Sequence, residues 1–98
     1  MLKAKAIVSV PFYNEAQFLE ETLECLKAVP ADVPVKFFLC DNQSTDGSSE
    51  IAARFAKQDN RFTHHIHPEN IGATGNFKFA FDNSESDYFM WLGAHDII

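Results

Sequence analysis

The stretch Asp87-Tyr88-Phe89-Met90-Trp91-Leu92-Gly93-Ala94-His95-Asp96 joins an apolar, aromatic-rich run to a short polar turn that ends in a carboxylate. A parallel strand buried on both faces has this composition, and ligands of open α/β sheets gather at the carboxyl ends of such strands. An acidic side chain at that point is placed to hold a divalent cation, and the cation to hold a phosphate. Upstream, Ala6-Ile7-Val8-Ser9-Val10-Pro11 and Val35-Lys36-Phe37-Phe38-Leu39-Cys40 predict two more buried strands, the first with its ladder ended by Pro11. Arg61 to His67 predicts a third, weaker one.

Helical spacing fills the gaps. Asn14 stands as a cap with Gln17 three residues on, as in a capping box, and Phe18, Leu19, Thr22, Leu23 and Leu26 recur on one face. Ile51, Ala52, Phe55 and Ala56 mark a second helix, with Glu50 early and Arg54 and Lys57 late, as the helix dipole prefers. A third is expected from about Thr74 to Phe81, presenting Phe77, Ala80 and Phe81 together. The order β-α-β-α-β-α-β implies a parallel sheet with right-handed crossovers. The fold class is α/β: a parallel β-sheet of about four strands flanked by helices, in one domain over residues 1–98.

Composition narrows the chemistry. A net charge of −6 and no basic run argue against nucleic acid as a partner. An acidic chain that handles an anionic substrate needs a cation to do it. Cys25 and Cys40 lie in apolar contexts without CxxC spacing and are expected to be buried thiols of a reducing compartment. No secretory signal and no membrane-length apolar run is visible. Ten Phe are more than so small a core needs, so some rings are expected to face outward or toward parts beyond this chain.

Three of the expected strands end in turns rich in Asn, Asp, Ser, Thr and Gly, and the sheet brings them to one edge. Each turn alone is ordinary turn chemistry; together, with His95-Asp96 closing the fourth strand, they suggest a binding cleft. Neither GxGxxG nor GxxxxGK[ST] occurs, which removes the main support for a dinucleotide or P-loop site. His64, His65 and His67 lack a further ligand at zinc spacing; on a strand His65 and His67 share one face, and all three are expected to be surface or edge-strand residues. Phe77, Phe81 and Trp91 have the geometry to stack a base, but their spacing favours packing into the core.

Val8-Ser9-Val10-Pro11-Phe12-Tyr13-Asn14-Glu15, Asp41-Asn42-Gln43-Ser44-Thr45-Asp46-Gly47-Ser48 and Asn70-Ile71-Gly72-Ala73-Thr74-Gly75-Asn76 resemble, in order and spacing, the family 2 nucleotide-sugar glycosyltransferases of GT-A fold. The resemblance covers essentially the whole chain. It implies the Rossmann-like, nucleotide-sugar-binding half of a GT-A domain, with the acceptor half absent from residues 1–98. Pro11, Tyr13 and Glu15 would line the base and ribose pocket, and Asp41 with Asn42 would hydrogen-bond the nucleobase edge. Asn70, Gly72 and Asn76 would close one side. Asp96 would ligate Mn²⁺ or Mg²⁺, with His95 as a second ligand or a ribose contact.

Two positions depart from the family pattern. Asn42 replaces the second acidic residue of the base-binding turn, which alters nucleobase preference because an amide donates as well as accepts. Gly93 and His95 stand where Asp is common, so weak metal binding is expected. The implied reaction moves a sugar from a nucleoside diphosphate donor to a glycan or lipid-linked acceptor, in cell-surface polysaccharide synthesis. The catalytic base is expected beyond residue 98, and these residues alone are expected to be inactive. The implied location is cytoplasmic, with membrane association through other parts of the parent protein. Self-association through the uncovered face is also expected. The alternatives are a non-catalytic nucleotide-binding or regulatory module of the same half-fold, and a nucleotidyltransferase. The latter would want a basic Gly-rich turn where Phe12-Tyr13-Asn14-Glu15 stands.

Overall fold

The computed structural model describes residues 1–94. In chain order these form β1 (Leu2–Lys3), β2 (Ala6–Phe12), α1 (Ala16–Lys27), β3 (Val35–Asp41), α2 (Ser48–Gln58), β4 (Phe62–Ile66), α3 (Gly72–Asp82), β5 (Ser84–Glu85) and β6 (Tyr88–Trp91). The main sheet has four parallel strands in the order β4-β3-β2-β6, and β1 pairs with β5 in a small parallel ladder of its own. The α/β architecture and the four-strand parallel sheet are those the sequence predicts.

Alternation along the strands separates two cores. Val10, Phe12, Phe37, Leu39 and Phe62 meet Leu19, Leu23 and Leu26 of α1 and Ala52 and Phe55 of α2 on one face. Ile7, Phe38 and Cys40 meet Ala80 and Phe79 of α3 on the other. Phe37, Phe55, Leu19 and Leu23 are each under 2% exposed, and burying one such side chain is worth about 1.5–3 kcal/mol. The buried Ser9 hydroxyl donates to the Phe38 carbonyl at 3.2 Å. Both cysteines are free thiols. Cys40 is fully buried, and burial pushes its thiol up to about 12 against the pull of the Ser9 hydroxyl, while Cys25 is half-buried.

Several expectations change. β2 runs through Pro11 to Phe12, with Pro11 opposite Cys40 and Phe12 opposite Asp41. The Ser9 carbonyl accepts from Leu92 and the Phe12 carbonyl from Asn42. Successive residues point to opposite neighbours, so the missing Pro11 N–H falls on the β6 side, and only that ladder ends there. Asn14 is not the cap of α1; it takes a left-handed φ of 51°, and Glu15 is the N-cap residue. Phe18 lies at 42% exposure, off the buried face. α3 starts at Gly72, before Thr74, where a φ of 81° suits glycine and the Asn70 side chain accepts the Gly72 N–H at 2.8 Å. β6 is an edge strand with Tyr88, Met90 and Trp91 exposed, rather than a strand buried on both faces. His64 and His65 do lie on an edge strand, β4, as expected, but none of the three histidines is exposed. His67 is 3% exposed, the His64 side chain is 9% exposed, and His65 stacks on Phe79 at 4.6 Å between ring centres.

Candidate functional site

The carboxyl ends of β2, β3 and β6 meet the first turns of α3 around a cleft of about 300 Å³. β2 contributes Pro11 and Phe12 at its end and the turn after it Tyr13 and Glu15; Asn42 follows β3; Asn70 precedes α3, and Ala73, Asn76 and Phe77 lie on it. Gly93 and Ala94, after β6, close the lining. The Thr22 hydroxyl of α1 donates to the Ala94 carbonyl, which fixes this last turn against the helix layer.

The polar turn after β3 mostly serves the fold. Asn14 N–H donates to Ser44 Oγ at 2.9 Å, Glu15 N–H to Ser48 Oγ at 2.9 Å and Ala16 N–H to Asp46 Oδ2 at 3.1 Å. Thr45 N–H returns a bond to Asn14 Oδ1 at 2.8 Å. The Ala16 amide that opens α1 and the two amides before it, which no helical carbonyl can satisfy, are thus held by side chains about thirty residues away. Hydrogen bonds from Ser48 and from backbone amides hold the Asp46 carboxyl below its ordinary range, against its own desolvation.

Asp41 lies beneath the cleft and not on its wall. It is fully buried; Oδ1 accepts Ser44 N–H at 2.8 Å, Oδ2 accepts the Ser49 hydroxyl, and His64 Nε2 stands 3.5 Å away. Burial alone raises such a carboxyl, but the nearby His64 ring and the hydrogen bonds from Ser49 and Ser44 outweigh it and lower this one to about 2. At 3.5 Å the His64 contact is an ion-pair distance without good hydrogen-bond geometry.

Of the residues singled out in the sequence, Pro11, Tyr13, Glu15, Asn42, Asn70 and Asn76 come together on this lining. Gly72 adjoins it, its carbonyl taking Asn42 Nδ2 at 3.1 Å. Asn76 is also 2% exposed, bonded to His67 Nε2 at 2.8 Å and to the Cys40 carbonyl at 3.0 Å. His95 and Asp96 lie outside the described residues. Phe77, expected in the core, is 38% exposed and lines the cleft. Beside it Phe81, Phe89 and Trp91 form an aromatic cluster with ring centres 5.2–5.9 Å apart, and Trp91 Nε1 donates to the Phe77 carbonyl at 3.1 Å. Phe12 and Ala73 were given no role in the sequence because their side chains carry no polar group.

Among the described residues the lining offers one carboxylate, Glu15, and no basic side chain. Among the described residues no cluster of three or more His, Cys, Asp and Glu is placed to hold a metal. They do not make a metal site by themselves. Among them, too, no helix is long and apolar enough to cross a membrane.

Comparison with known proteins gives consistent matches. The family model described as "Glycosyl transferase family 2" matches residues 7–98. The succinoglycan biosynthesis protein ExoA of Rhizobium meliloti is 30% identical over 96 residues, 97% of this chain and 29% of that protein. Glycosyltransferase AglD of Haloferax volcanii is 30% identical over 90 residues, 87% of this chain and 14% of that protein. The chain therefore spans less than a third of the curated relatives it matches. Among solved structures, the mannosyltransferase PcManGT from Pyrobaculum calidifontis, in complex with GDP-Man and Mn²⁺, superposes with a TM-score of 0.79 at 24% identity, covering 97% of this chain and 28% of that one. S. aureus TarS 1-349 gives 0.82 at 23% identity, covering 96% and 28%. These two likenesses establish a shared fold.

Proposed function

The chain belongs to glycosyl transferase family 2, and on that premise we propose that its cleft receives a nucleoside diphosphate-sugar donor. One observation carries the reading: Pro11, Tyr13, Glu15, Asn42, Asn70 and Asn76, scattered along the chain, meet on a single lining at the carboxyl edge of a parallel sheet. Tyr13, 46% exposed, and Phe77 offer apolar faces for a base, and Glu15 offers an acceptor for ribose hydroxyls. In this reading Asp41 supports the base-binding turn from beneath, Gly72 and Asn70 shape one wall, and Asn76 anchors that wall to β3 and His67.

A diphosphate brought to a lining whose described residues include no basic side chain needs a counter-charge. We assign Mn²⁺ or Mg²⁺ to that task, held by Asp96 with His95 beside it, directly after Ala94 of the lining. Such an ion, when bound, supplies positive charge toward the diphosphate and the departing nucleotide. The parent protein then transfers a sugar to a glycan or lipid-linked acceptor in cell-surface polysaccharide synthesis. Its acceptor half and catalytic base lie outside these residues, which by themselves are expected to bind donor without turning it over. The proposed setting is the cytoplasmic side of a membrane, reached through other parts of the parent protein.

The test is a titration of the 98-residue chain with UDP, dTDP and GDP, with and without Mn²⁺, followed by amide NMR. Metal-dependent shifts at Tyr13, Asn42 and Asp96 support the donor site and rank the bases. Silence with every nucleotide, repeated in the full-length parent, sinks it.

A further inference from the structure

Asn42 closes β3 with 2% of its surface exposed, and its side-chain amide holds one loop with both of its functions. Oδ1 accepts the Ile71 N–H at 2.8 Å, and Nδ2 donates to the Gly72 carbonyl at 3.1 Å. The neighbours of Asn42 grip the same loop. The Asp41 carbonyl accepts the His67 N–H at 2.9 Å, and Gln43 Nε2 donates to the Pro68 carbonyl at 3.0 Å. Gln43 does so from a left-handed φ of 62°, a backbone state that costs a residue with a Cβ. Three consecutive residues thus fasten the segment from His67 to Gly72, which delivers Asn70 and Ala73 to the cleft lining.

The chemistry at 42 is selective. An amide accepts on one side and donates on the other; a carboxylate of the same shape still accepts from Ile71 but turns an acceptor on the Gly72 carbonyl. We infer that Asn42 is a positioning residue, setting the wall of the cleft formed by residues 70–73, and does not itself read the nucleobase edge. The inference rests on the nucleotide reading of the cleft and narrows it: the choice of base falls to other groups on the lining.

Two variants separate the roles. Asn42→Ala removes both bonds, while Asn42→Asp keeps the shape and the Ile71 bond but loses the donor to Gly72. In the ligand-free Asn42→Ala chain, the Ile71 amide is expected to exchange with solvent at least about tenfold faster. In both variants UDP and GDP, titrated by amide NMR in Mn²⁺, are expected to lose affinity by the same factor. A UDP-to-GDP ratio that shifts in Asn42→Asp overturns the inference, as does an Ile71 amide that keeps its protection in Asn42→Ala. If neither the unsubstituted chain nor its full-length parent binds either nucleotide, the donor reading fails on its own account. The exchange measurement then still decides whether Asn42 holds the loop.

Discussion

Asp41 is a carboxylate kept ionised inside the protein, and the sign of its effect on stability follows. Its folded pKa of about 2 lies below the ordinary carboxylate value. The stabilisation it gives is therefore complete above about pH 4 and disappears as pH falls through about 2. Asp41→Asn is expected to cost about 2 kcal/mol near neutrality, and to flatten the loss of stability over that acid range. Urea unfolding of both proteins at several pH values checks this; parallel pH profiles would refute it. At this scale the sequence disclosed which residues meet at the cleft better than what each one contacts. Pro11, Tyr13 and Glu15 were singled out through the family resemblance, and the structure brings them onto one lining at the sheet edge. The partners of Asp41 and Asn42 were not legible, since Ser49, His64, Ile71 and Gly72 become neighbours only once strand order is known.

α1 is held at both ends by side chains from elsewhere in the chain. Ser44, Asp46 and Ser48 cap its amino end. At the other end Arg61 donates to the Lys27 carbonyl at 3.1 Å and the Val29 carbonyl at 2.7 Å while paired with Asp59 at 2.8 Å. Asp46→Ala is expected to cost about 1 kcal/mol, the usual worth of a cap, and to speed exchange at the Ala16 amide. Arg61→Ala is expected to cost about 2 kcal/mol, since it strands carbonyls and the Asp59 carboxylate together. Chemical denaturation with intact m-values measures both, and unchanged midpoints would show the caps to be ornamental. The buried stripe Leu19, Leu23 and Leu26 was readable from periodicity. The caps were not, because a local rule pointed to Asn14 and Gln17 whereas the true acceptors arrive from the following βα unit. β6 misled in the opposite way: its composition announces rings that need cover without saying that a sheet edge will leave them open.

Across the whole molecule, the alternation of apolar strands and amphipathic helices was enough to give the parallel sheet, and the aromatic surplus was enough to warn of an uncovered face. Tyr88, Met90 and Trp91 on the edge strand, with Phe77 and Phe81 on α3, are 38–68% exposed. These side chains flank the open edge of β6 on both sides of the sheet. This edge is expected to drive self-association at high concentration, and Met90→Lys to reduce it by charging the edge. Sedimentation that stays monomeric without the substitution would contradict this. The acidic molecule also sets a charge test. Nucleoside diphosphates should bind more tightly as Mn²⁺ is added, whereas the uncharged nucleosides should be indifferent to it; equal metal dependence would argue against a diphosphate-bridging ion. The capping of α1 by residues 44–48 bears, finally, on how the protein is made. A ribosome releases the segment of α1 well before its caps, so the emerging helix waits with bare amides until the β3–α2 turn follows it out of the exit tunnel. Synthesis should therefore deliver the first two βα units as one cooperative folding event, with α1 vulnerable to proteases until the second has emerged.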